Sequence, residues 1–431
     1  MNRYLEKTYL NALYDFLLPK LKTGKDKVTK TKFNLSKEYE FDVIIRKCNN
    51  STYKFTPFKI LTATNGRKVY IPTIRDRIVI EILKQSISKK FRVRFTDRKN
   101  IIKVLKTKLE SNQEYFVLKF DIKKFFNSIP QNLLLQKIKR SSILSLQEYH
   151  LLKELLKNTP EKGLPVGISL SSILSEIYLE DFDRIMKRID QRIGCYFRYV
   201  DDIIILFNSN LRESEINNIE ANIISYLKTI GLKINKTKLE KVFIPAEPSN
   251  IKKFSYLGYD FIRHERDNKM QISDAKLKKI HSKIDFCLND FKKFANMDLL
   301  DERLCFLTRK NTMLRYHYRL RNNNIEKGRP NLVTYGVIEN YKYAHIDQFI
   351  ELDKYLRGKL HSTFGRFVKK ELLKHSFTNS LQRNKINLYH MFTNDDYITR
   401  ILKLDNDRNH NQLRLFNRQL LEFEYRKILL L

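Results

Sequence analysis

The spacing of hydrophobic and polar positions in the first part of the chain predicts helices and one short strand. Residues 2–18 place apolar side chains roughly three to four positions apart, which is typical of an amphipathic helix. Residues 67–91 predict a short strand, a turn at Pro72 and a helix that begins near Arg75. The N-terminal region is therefore predicted to combine helices with a small strand element.

The middle of the chain predicts strands and helices in an order that favours an antiparallel sheet. Apolar runs predict strands at 114–121, 195–207 (two strands with acids between them) and 254–262, where a glycine inside the run indicates a turn or a close approach. Helices are predicted at 131–158, within 163–185 after a Gly/Pro turn, and at the beginning of 219–240, where Gly231 ends the helix and a short strand follows. This order predicts an α+β layer of helices on an antiparallel sheet. After about residue 263 the pattern predicts mostly helices.

The charge of the chain narrows the class of partner. The sequence has 83 Lys and Arg residues against 48 Asp and Glu, a formal net charge of +35, and its 42% hydrophobic content excludes an intrinsically disordered chain. A surface this basic attracts polyanions. Because no apolar run approaches the length of a membrane span, nucleic acid is favoured over an anionic membrane as the partner.

The cysteines and the first residues bear on the cellular compartment. Cys48, Cys195, Cys287 and Cys305 lie far apart, without the spacing of a zinc ribbon or a disulfide scaffold. The first ten residues mix charges with apolar positions and lack the core of a signal peptide. A cytoplasmic location is therefore expected.

Two basic segments are candidates for nucleic-acid contacts. Residues 84–108 hold ten Lys or Arg residues against one acid, with Phe91 and Phe95 among them. Such a mixture suits phosphate contacts and base stacking, and it suits a solvated helix face equally well. Residues 303–329 hold eight Lys or Arg residues against one acid.

Three aspartates at strand ends carry the candidate chemistry. Asp201 and Asp202 stand between two apolar strands, and Asp121 ends the strand at 114–121. An ordinary Asp-containing hairpin turn explains the first two, whereas three carboxylates on neighbouring strands can hold two metal ions about 3.5–4 Å apart. Acids this close repel one another, and a hard cation such as Mg²⁺ keeps all of them ionised.

The motifs around these aspartates resemble those of a known family. The segments FDIKKFFNSI (120–129), GLPVGISLSSILSEIYL (163–179), RYVDDIIILF (198–207), LKINKTKLE (232–240) and YLGYDF (256–261) follow the order of the reverse transcriptase palm motifs. Upstream, IPTIRDRIV (71–79) is similar to the fingers segment of bacterial reverse transcriptases. The resemblance spans roughly residues 60–262.

The resemblance implies a right-hand polymerase fold of the α+β class. Residues 1–115 would form a fingers-like region, and residues 116–262 would form the palm, with a fingers segment interleaved at about 131–160. Residues 263–431 would form a mostly helical thumb and a nucleic-acid-binding extension.

The resemblance also implies the catalytic roles. Asp121 and Asp201 would ligate two Mg²⁺ ions, for which Mn²⁺ is a possible substitute, with Asp202 as the third acid. The carbonyl of Ile122 would be a backbone ligand. Lys238 aligns with the lysine that protonates the leaving pyrophosphate, although Lys236 is a close competitor for that role.

Further residues are assigned to substrates by the same resemblance. Phe126 falls at the steric-gate position that excludes ribonucleotides, with a plain core aromatic as its alternative role. The residues expected at the incoming nucleotide are Pro165, Val166 and Gly167, with Arg67, Lys68 and Arg75 as triphosphate candidates. The primer grip would hold Leu257 and Gly258, and the tail would bind nucleic acid through Arg309, Lys310, Arg315 and Arg319.

Departures from the family pattern indicate a subgroup. Val166 stands where many reverse transcriptases have Gln, and LPVG followed by ISLSS resembles the defence-associated and abortive-infection enzymes of bacteria. The PQG turn and alanine-aspartate-aspartate core of group II intron enzymes are not present. Retron enzymes are close cousins, but their downstream Asn-Ala and Val-Thr-Gly signals are not found in this sequence.

The resemblance thus implies an RNA-directed DNA polymerase of a bacterial antiviral system. Its substrates would be deoxynucleoside triphosphates, a non-coding RNA as template or scaffold, and a DNA product; the sequence leaves its oligomeric state open. One alternative is template-independent, protein-primed DNA synthesis of the abortive-infection type. The others are an RNA-binding, maturase-like protein and a mobile-element reverse transcriptase.

Overall fold

The computed structural model describes residues 4–17, 24–63, 66–159, 162–265, 267–321, 324–383 and 386–388, of which residues 16, 312–321, 324–333 and 386–388 are described by their backbone only. The helices are α1 (Lys7–Leu17), α2 (Lys30–Leu35), α3 (Lys37–Asn49), α4 (Ile74–Lys90), α5 (Arg98–Glu110), α6 (Phe125–Ser128), α7 (Gln131–Ser141), α8 (Leu146–Lys157), α9 (Leu170–Met186), α10 (Glu213–Thr229), α11 (Asp274–Phe294), α12 (Met297–Thr308), α13 (Val337–Asn340), α14 (Ile346–Phe364), α15 (Lys370–Leu373) and α16 (Phe377–Gln382).

The strands occur singly or in groups between these helices. They are β1 (Lys59–Thr62), β2 (Lys68–Ile71), β3 (Tyr115–Asp121), β4 (Ile193–Tyr199), β5 (Asp202–Phe207), β6 (Glu240–Ile244), β7 (Lys252–Tyr256), β8 (Tyr259–His264), β9 (Asp267–Ile272), β10 (Lys310–Arg321), β11 (Asn324–Tyr335) and β12 (Ile386–Leu388). The predicted fold class, helices with antiparallel sheet, is confirmed.

The chain divides into two compact units. The first contains Met1–Ile101, Glu114–Phe243 and Tyr318–Glu326, and the second contains Ile102–Gln113, Ile244–His317 and Lys327–Leu431. The fingers, palm and thumb boundaries drawn from the sequence remain a prediction.

A four-stranded sheet in the order β4-β5-β3-β6 is the centre of the first unit. β3 runs antiparallel to β5, with Phe116 opposite Phe207 at one end of the pair and Asp121 opposite Asp202 at the other. Nearly every residue of the two strands is buried. Such continuous apolar runs are typical of strands covered on both faces.

Helix α4 of the first unit is anchored at its beginning by a buried carboxylate. The side chain of Thr73 accepts a hydrogen bond from the backbone N–H of Asp76 and so caps the helix. The carboxylate of Asp76 in turn accepts hydrogen bonds from the hydroxyl of Tyr53 (2.8 Å) and the N–H of Thr56 (3.2 Å). These contacts fix the start of the helix that carries Arg75, close to the predicted position.

The second unit contains an antiparallel sheet of β7, β8 and β9 and the helices α11, α12 and α14. The segment 254–262, predicted as a strand whose glycine indicates a turn or a close approach, forms a hairpin of β7 and β8. Its turn residues Leu257 and Gly258 have φ angles of +48° and +85°. Two successive residues with positive φ are typical of the tight hairpin turn whose twist matches its strands.

The mostly helical tail predicted after residue 263 needs one correction. Residues Lys310–Arg321 and Asn324–Tyr335 form β10 and β11, and β10 also pairs in parallel with β12. Among the described residues the remaining elements of this region are the predicted helices, together with the short strand β9.

Candidate active site

The aspartates predicted as metal ligands meet at one end of the central sheet. Asp121 ends β3 and lies opposite Asp202, the first residue of β5. Asp201 occupies the turn between β4 and β5, and its carbonyl accepts a hydrogen bond of 3.2 Å from the N–H of Ile122. Pairing of β3 with β5 therefore brings Asp121 together with two adjacent acids that come about eighty positions later in the sequence.

The turn that carries Asp201 contains a strained residue. Val200 has a φ of +61°, in the left-handed region that β-branched residues rarely adopt. Such a conformation costs about 1–3 kcal/mol and persists only where surrounding contacts impose it.

The electrostatics of the site oppose ionisation of Asp201 and Asp202. Burial, followed by the charge of Asp121, raises the pKa of Asp201 to about 6. The same two causes, in the same order, raise the pKa of Asp202, against the opposing effects of Lys119 and Lys238. Additional positive charge beside Asp201 and Asp202 would therefore favour their ionised forms and lower their pKa values.

Lys238 supplies part of that charge. Its Nζ donates a hydrogen bond to Oδ2 of Asp121 at 2.5 Å, although 61% of the lysine side chain is exposed, against 8% of the aspartate side chain. This hydrogen bond is the main reason that the pKa of Lys238 is raised, so the ammonium is charged at neutral pH. Lys236, the competing lysine, belongs to the same 3₁₀ turn.

A divalent cation fits these residues. Oδ1 of Asp121 is buried and has no hydrogen-bond partner among the described residues. Carboxylate oxygens are the ligands that Mg²⁺ and Mn²⁺ prefer. No three His, Cys, Asp or Glu side chains in the described part of the chain already form a metal-binding group. Binding would therefore require the aspartate side chains to turn toward the cation.

A second ion pair lies on the same sheet. Nζ of Lys119 on β3 is 2.8 Å from Oε1 of Glu240, the first residue of β6. Lys119 is two positions from Asp121, so both side chains point to the same face of the strand. This pair was not predicted from the sequence, because the partner of Lys119 depends on which strand lies beside β3.

The predicted nucleotide-side residues are brought together by backbone hydrogen bonds. The N–H of Leu164 donates to the carbonyl of Phe126 at 2.7 Å, and the N–H of Tyr70 on β2 donates to the carbonyl of Val166 at 2.8 Å. Phe126 is half-buried and its ring centre is 5.2 Å from that of the buried Phe125. Backbone hydrogen bonds therefore connect the turn at 164–167 both to Phe126 and to β2.

Glycine is required in this turn. Gly167 has a φ of +95°, and a Cβ there would lie 2.7 Å from Cγ1 of Val69 and 3.1 Å from the carbonyl oxygen of Tyr70. Pro165 is buried, and its carbonyl accepts a hydrogen bond of 2.6 Å from the hydroxyl of Ser171 at the start of α9. The turn is thus fastened both to β2 and to α9.

The triphosphate candidates differ in their surroundings. Arg67 and Lys68 are exposed at the beginning of β2. Arg75 instead forms a two-point ion pair with Glu40, one of whose contacts is Nη2 to Oε1 at 2.8 Å. Arg75 must leave Glu40, or share it, to reach a phosphate.

The remaining predicted residues belong to the second unit. Leu257 and Gly258 form the turn of the β7–β8 hairpin. Nζ of Lys310 lies 3.5 Å from the buried carboxylate of Glu339, and Arg309 directly precedes β10. Arg315 and Arg319 are on β10, and their side chains lie outside the described residues.

Arg198, which is buried beneath the aspartate turn, was not predicted from the sequence. It is bound by Glu176 and Asp183, two acids seven residues apart on α9. A basic residue inside the apolar segment CYFRYV was the available signal. Its partners follow only from the packing of α9 on the sheet.

Comparison with known proteins gives two sequence matches. Residues 47–261 match the family model described as "Reverse transcriptase (RNA-dependent DNA polymerase)". The chain is also similar to the Retron Ec83 reverse transcriptase of Escherichia coli, with 31% identity over 194 residues. That alignment covers 42% of this chain and 60% of the relative.

Solved structures give weaker similarities. An apo telomerase from Candida tropicalis has a TM-score of 0.40 at 13% identity, covering 92% of this chain and 73% of that one. A telomerase from Candida albicans, in complex with a fragment of telomeric RNA, has a TM-score of 0.36 at 13% identity, covering 77% and 64%. TM-scores of this size support no conclusion about this chain. No helix in the described ranges is both long and apolar enough to cross a membrane.

Proposed function

The chain belongs to the reverse transcriptase family, and from that premise we propose that it is an RNA-directed DNA polymerase of a retron-like bacterial system. One observation carries the proposal. The β3–β5 pairing sets Asp121 opposite Asp202, with Asp201 in the adjoining turn, inside the segment that matches the family model. The chain spans 60% of the length of its bacterial relative, so the activity of the whole protein is part of the proposal.

The aspartates act as the ligands of divalent cations. Bound Mg²⁺, or Mn²⁺ in its place, supplies activation of the primer hydroxyl and stabilisation of the leaving oxygen in nucleotidyl transfer. Asp121, Asp201 and Asp202 hold and orient it, and the unpartnered Oδ1 of Asp121 offers a ready acceptor. The Ile122 carbonyl completes the proposed ligand set.

Lys238 holds a proton where the pyrophosphate leaves. Its pKa is raised by the hydrogen bond to Asp121, so it carries that proton at neutral pH. Its largely exposed side chain can move from Asp121 toward a departing phosphate oxygen. A positioned acid of this kind contributes about 10²- to 10⁴-fold to a reaction rate.

Nucleotide selection is assigned to Phe126 and the turn at 164–167. The hydrogen bond from the N–H of Leu164 to the carbonyl of Phe126 holds the backbone of Phe126 beside the turn that contains Pro165, Val166 and Gly167. A bulky ring in this position crowds a ribose 2′-hydroxyl and so favours deoxynucleotides. Arg67 and Lys68 are proposed to contact the triphosphate, with Arg75 contributing if it leaves Glu40.

The biological role and the partners are part of the same proposal. The net charge of +35 favours a polyanionic partner, for which we propose a non-coding RNA as template or scaffold. The enzyme would make DNA on that RNA in the cytoplasm, as part of antiviral defence. Retention of all three aspartates argues against a maturase-like protein without polymerase activity.

Primer extension tests the polymerase assignment. The purified protein receives an RNA template, an annealed DNA primer, Mg²⁺ and either deoxynucleotides or ribonucleotides. We expect extension with deoxynucleotides, and its loss in Asp201→Asn. Phe126→Ala should raise the relative use of ribonucleotides by about 10- to 200-fold, since one steric feature of a pocket is worth that much.

Two outcomes would contradict this assignment. Full extension by Asp201→Asn would show that the polymerase site lies elsewhere. Unchanged sugar selectivity in Phe126→Ala would return that residue to the core, where Phe125 already belongs.

A further inference from the structure

Arg198 makes an unusually complete set of contacts directly before the aspartate turn. Its side chain is 4% exposed. Nε and Nη2 donate to the two carboxylate oxygens of Asp183, both at 2.7 Å, and Nη2 and Nη1 donate to those of Glu176 at 2.6 and 3.1 Å. The last N–H of Nη1 donates to the carbonyl of Val200 at 3.0 Å. All the donors of the guanidinium are thus used.

The hydrogen bond from Arg198 reaches the backbone at Val200, the residue whose conformation is strained. Val200 has a φ of +61°, and its carbonyl belongs to the peptide that leads into Asp201. On the other side of that residue, the carbonyl of Asp201 accepts the N–H of Ile122 at 3.2 Å. The backbone around Asp201 is therefore held on one side by Arg198 of β4 and on the other by Ile122, the residue that follows β3.

The two acids of α9 set the direction of the guanidinium. Glu176 and Asp183 are seven residues apart, so they lie on the same face of the helix two turns from each other. Each binds one edge of the planar guanidinium, which leaves one N–H of Nη1 directed at the Val200 carbonyl. An ammonium has no rigid fork and cannot make these contacts together.

We propose that Arg198 is a positioning residue that holds the peptide between Val200 and Asp201, and thereby aims the Asp201 carboxylate at the bound divalent cation. The inference rests on the proposed function, because it takes Asp201 to be a cation ligand. It assigns to the ion pair between β4 and α9 a role in metal binding in addition to its role in the fold.

Mn²⁺ binding without nucleotide or nucleic acid is the direct test. Electron paramagnetic resonance of free Mn²⁺ gives the dissociation constant for each folded variant. Arg198→Lys keeps the charge and loses the fork, and we expect its Mn²⁺ affinity to fall about tenfold, as is typical for residues that orient a metal ligand.

Rescue separates positioning from general stability. Glycine adopts a φ near +60° without strain. The double variant Arg198→Lys/Val200→Gly should therefore regain most of the Mn²⁺ affinity that Arg198→Lys loses. Its affinity is compared with that of the single variant Val200→Gly. Tyr196→Phe is the matched control, because it removes a 2.6 Å hydrogen bond to Asp183 and leaves the Arg198–Val200 contact in place. It should bind Mn²⁺ as the wild type does.

Two results would overturn the inference. One is a cooperatively folded Arg198→Lys variant with wild-type Mn²⁺ affinity, and the other is failure of Val200→Gly to restore a lost affinity. Should Arg198→Lys not fold, Glu176→Gln replaces it, since it keeps Arg198 and weakens the hold on Nη1. The same loss and the same rescue are expected there, and wild-type affinity would overturn the inference.

Asp201→Asn distinguishes this failure from failure of the proposed function. If that variant binds Mn²⁺ as well as the wild type does, the proposed metal site itself is wrong. If it loses Mn²⁺ while Arg198→Lys retains it, only the positioning role of Arg198 is wrong.

Discussion

At the scale of single residues, the ionised side chain of Asp201 lowers the stability of the folded protein, because it is buried beside Asp121. Its folded-state pKa, about 6, lies above the ordinary aspartate value of 3.8. The folded protein therefore holds the Asp201 proton more tightly than the unfolded chain does. The resulting stabilisation is fully present below about pH 3.8 and is lost as the pH rises through about 6.

This shift predicts a stabilised but inactive variant. Asn mimics the neutral acid, so Asp201→Asn should raise the free energy of unfolding by about 1–2 kcal/mol at pH 8 without divalent cations, allowing for partial exposure of the side chain. The difference should vanish near pH 4. Urea unfolding at both pH values measures it.

An aspartate with the opposite shift is the control. Hydrogen bonds to Arg192 lower the pKa of Asp190, so Asp190→Asn should not stabilise the protein at pH 8. A variant Asp201→Asn that is no more stable than the wild type at pH 8 would contradict the electrostatic account of the site.

Residues also show why part of the site could be predicted from sequence and part could not. Asp121 and Asp201 are visible because acids that end apolar strands are rare, and their motifs carry the family pattern. Arg198 is a single basic residue in a strand, and its role depends on Glu176 and Asp183. Those partners become neighbours only when α9 packs on the sheet.

At the scale of elements, the turn at 164–167 joins a helix, a strand and the predicted steric gate. Gly167→Ala would place a Cβ within 2.7 Å of Val69 and force a side chain into a φ of +95°. We expect a loss of about 1–3 kcal/mol in unfolding free energy. We also expect a higher KM for deoxynucleotides in primer extension, because β2 and the turn would separate.

A second glycine in the chain provides the contrast. Gly358 lies inside α14, with open space where the methyl group of an alanine would lie. Gly358→Ala should therefore be neutral or stabilising by up to about 1 kcal/mol, with an unchanged KM. Equal behaviour of the two variants would show that the turn tolerates rearrangement and does not position the nucleotide.

The elements that the sequence predicted correctly are those with strong local signals. β3 is an apolar segment that ends at an acid, β5 is one that begins at an acid, and α9 follows a turn that contains a glycine and a proline. β10 was predicted as helical, although Leu314, Tyr316, Tyr318 and Leu320 alternate with polar residues at the period of a strand. This alternation is short and lies between segments with a helical pattern.

At the scale of the whole molecule, basic charge is spread along the chain. Residues 263–431 hold 34 Lys and Arg against 20 Asp and Glu, and the segment before them is also strongly basic. A nucleic acid whose phosphates are neutralised by many Lys and Arg side chains releases many counterions on binding. The affinity of the protein for it should therefore fall steeply as the salt concentration rises. This distribution favours a long or structured nucleic acid, as the proposed RNA partner requires.

The most direct test of the central claim is to sequence the RNA and DNA that co-purify with the protein and with Asp201→Asn. We predict one dominant RNA in both samples, with complementary DNA in the wild type alone. DNA without any matching RNA, above all DNA joined covalently to the protein, would contradict RNA-directed synthesis and favour untemplated, protein-primed synthesis. Complementary DNA in equal amount in the Asp201→Asn sample would contradict the assignment of the active site.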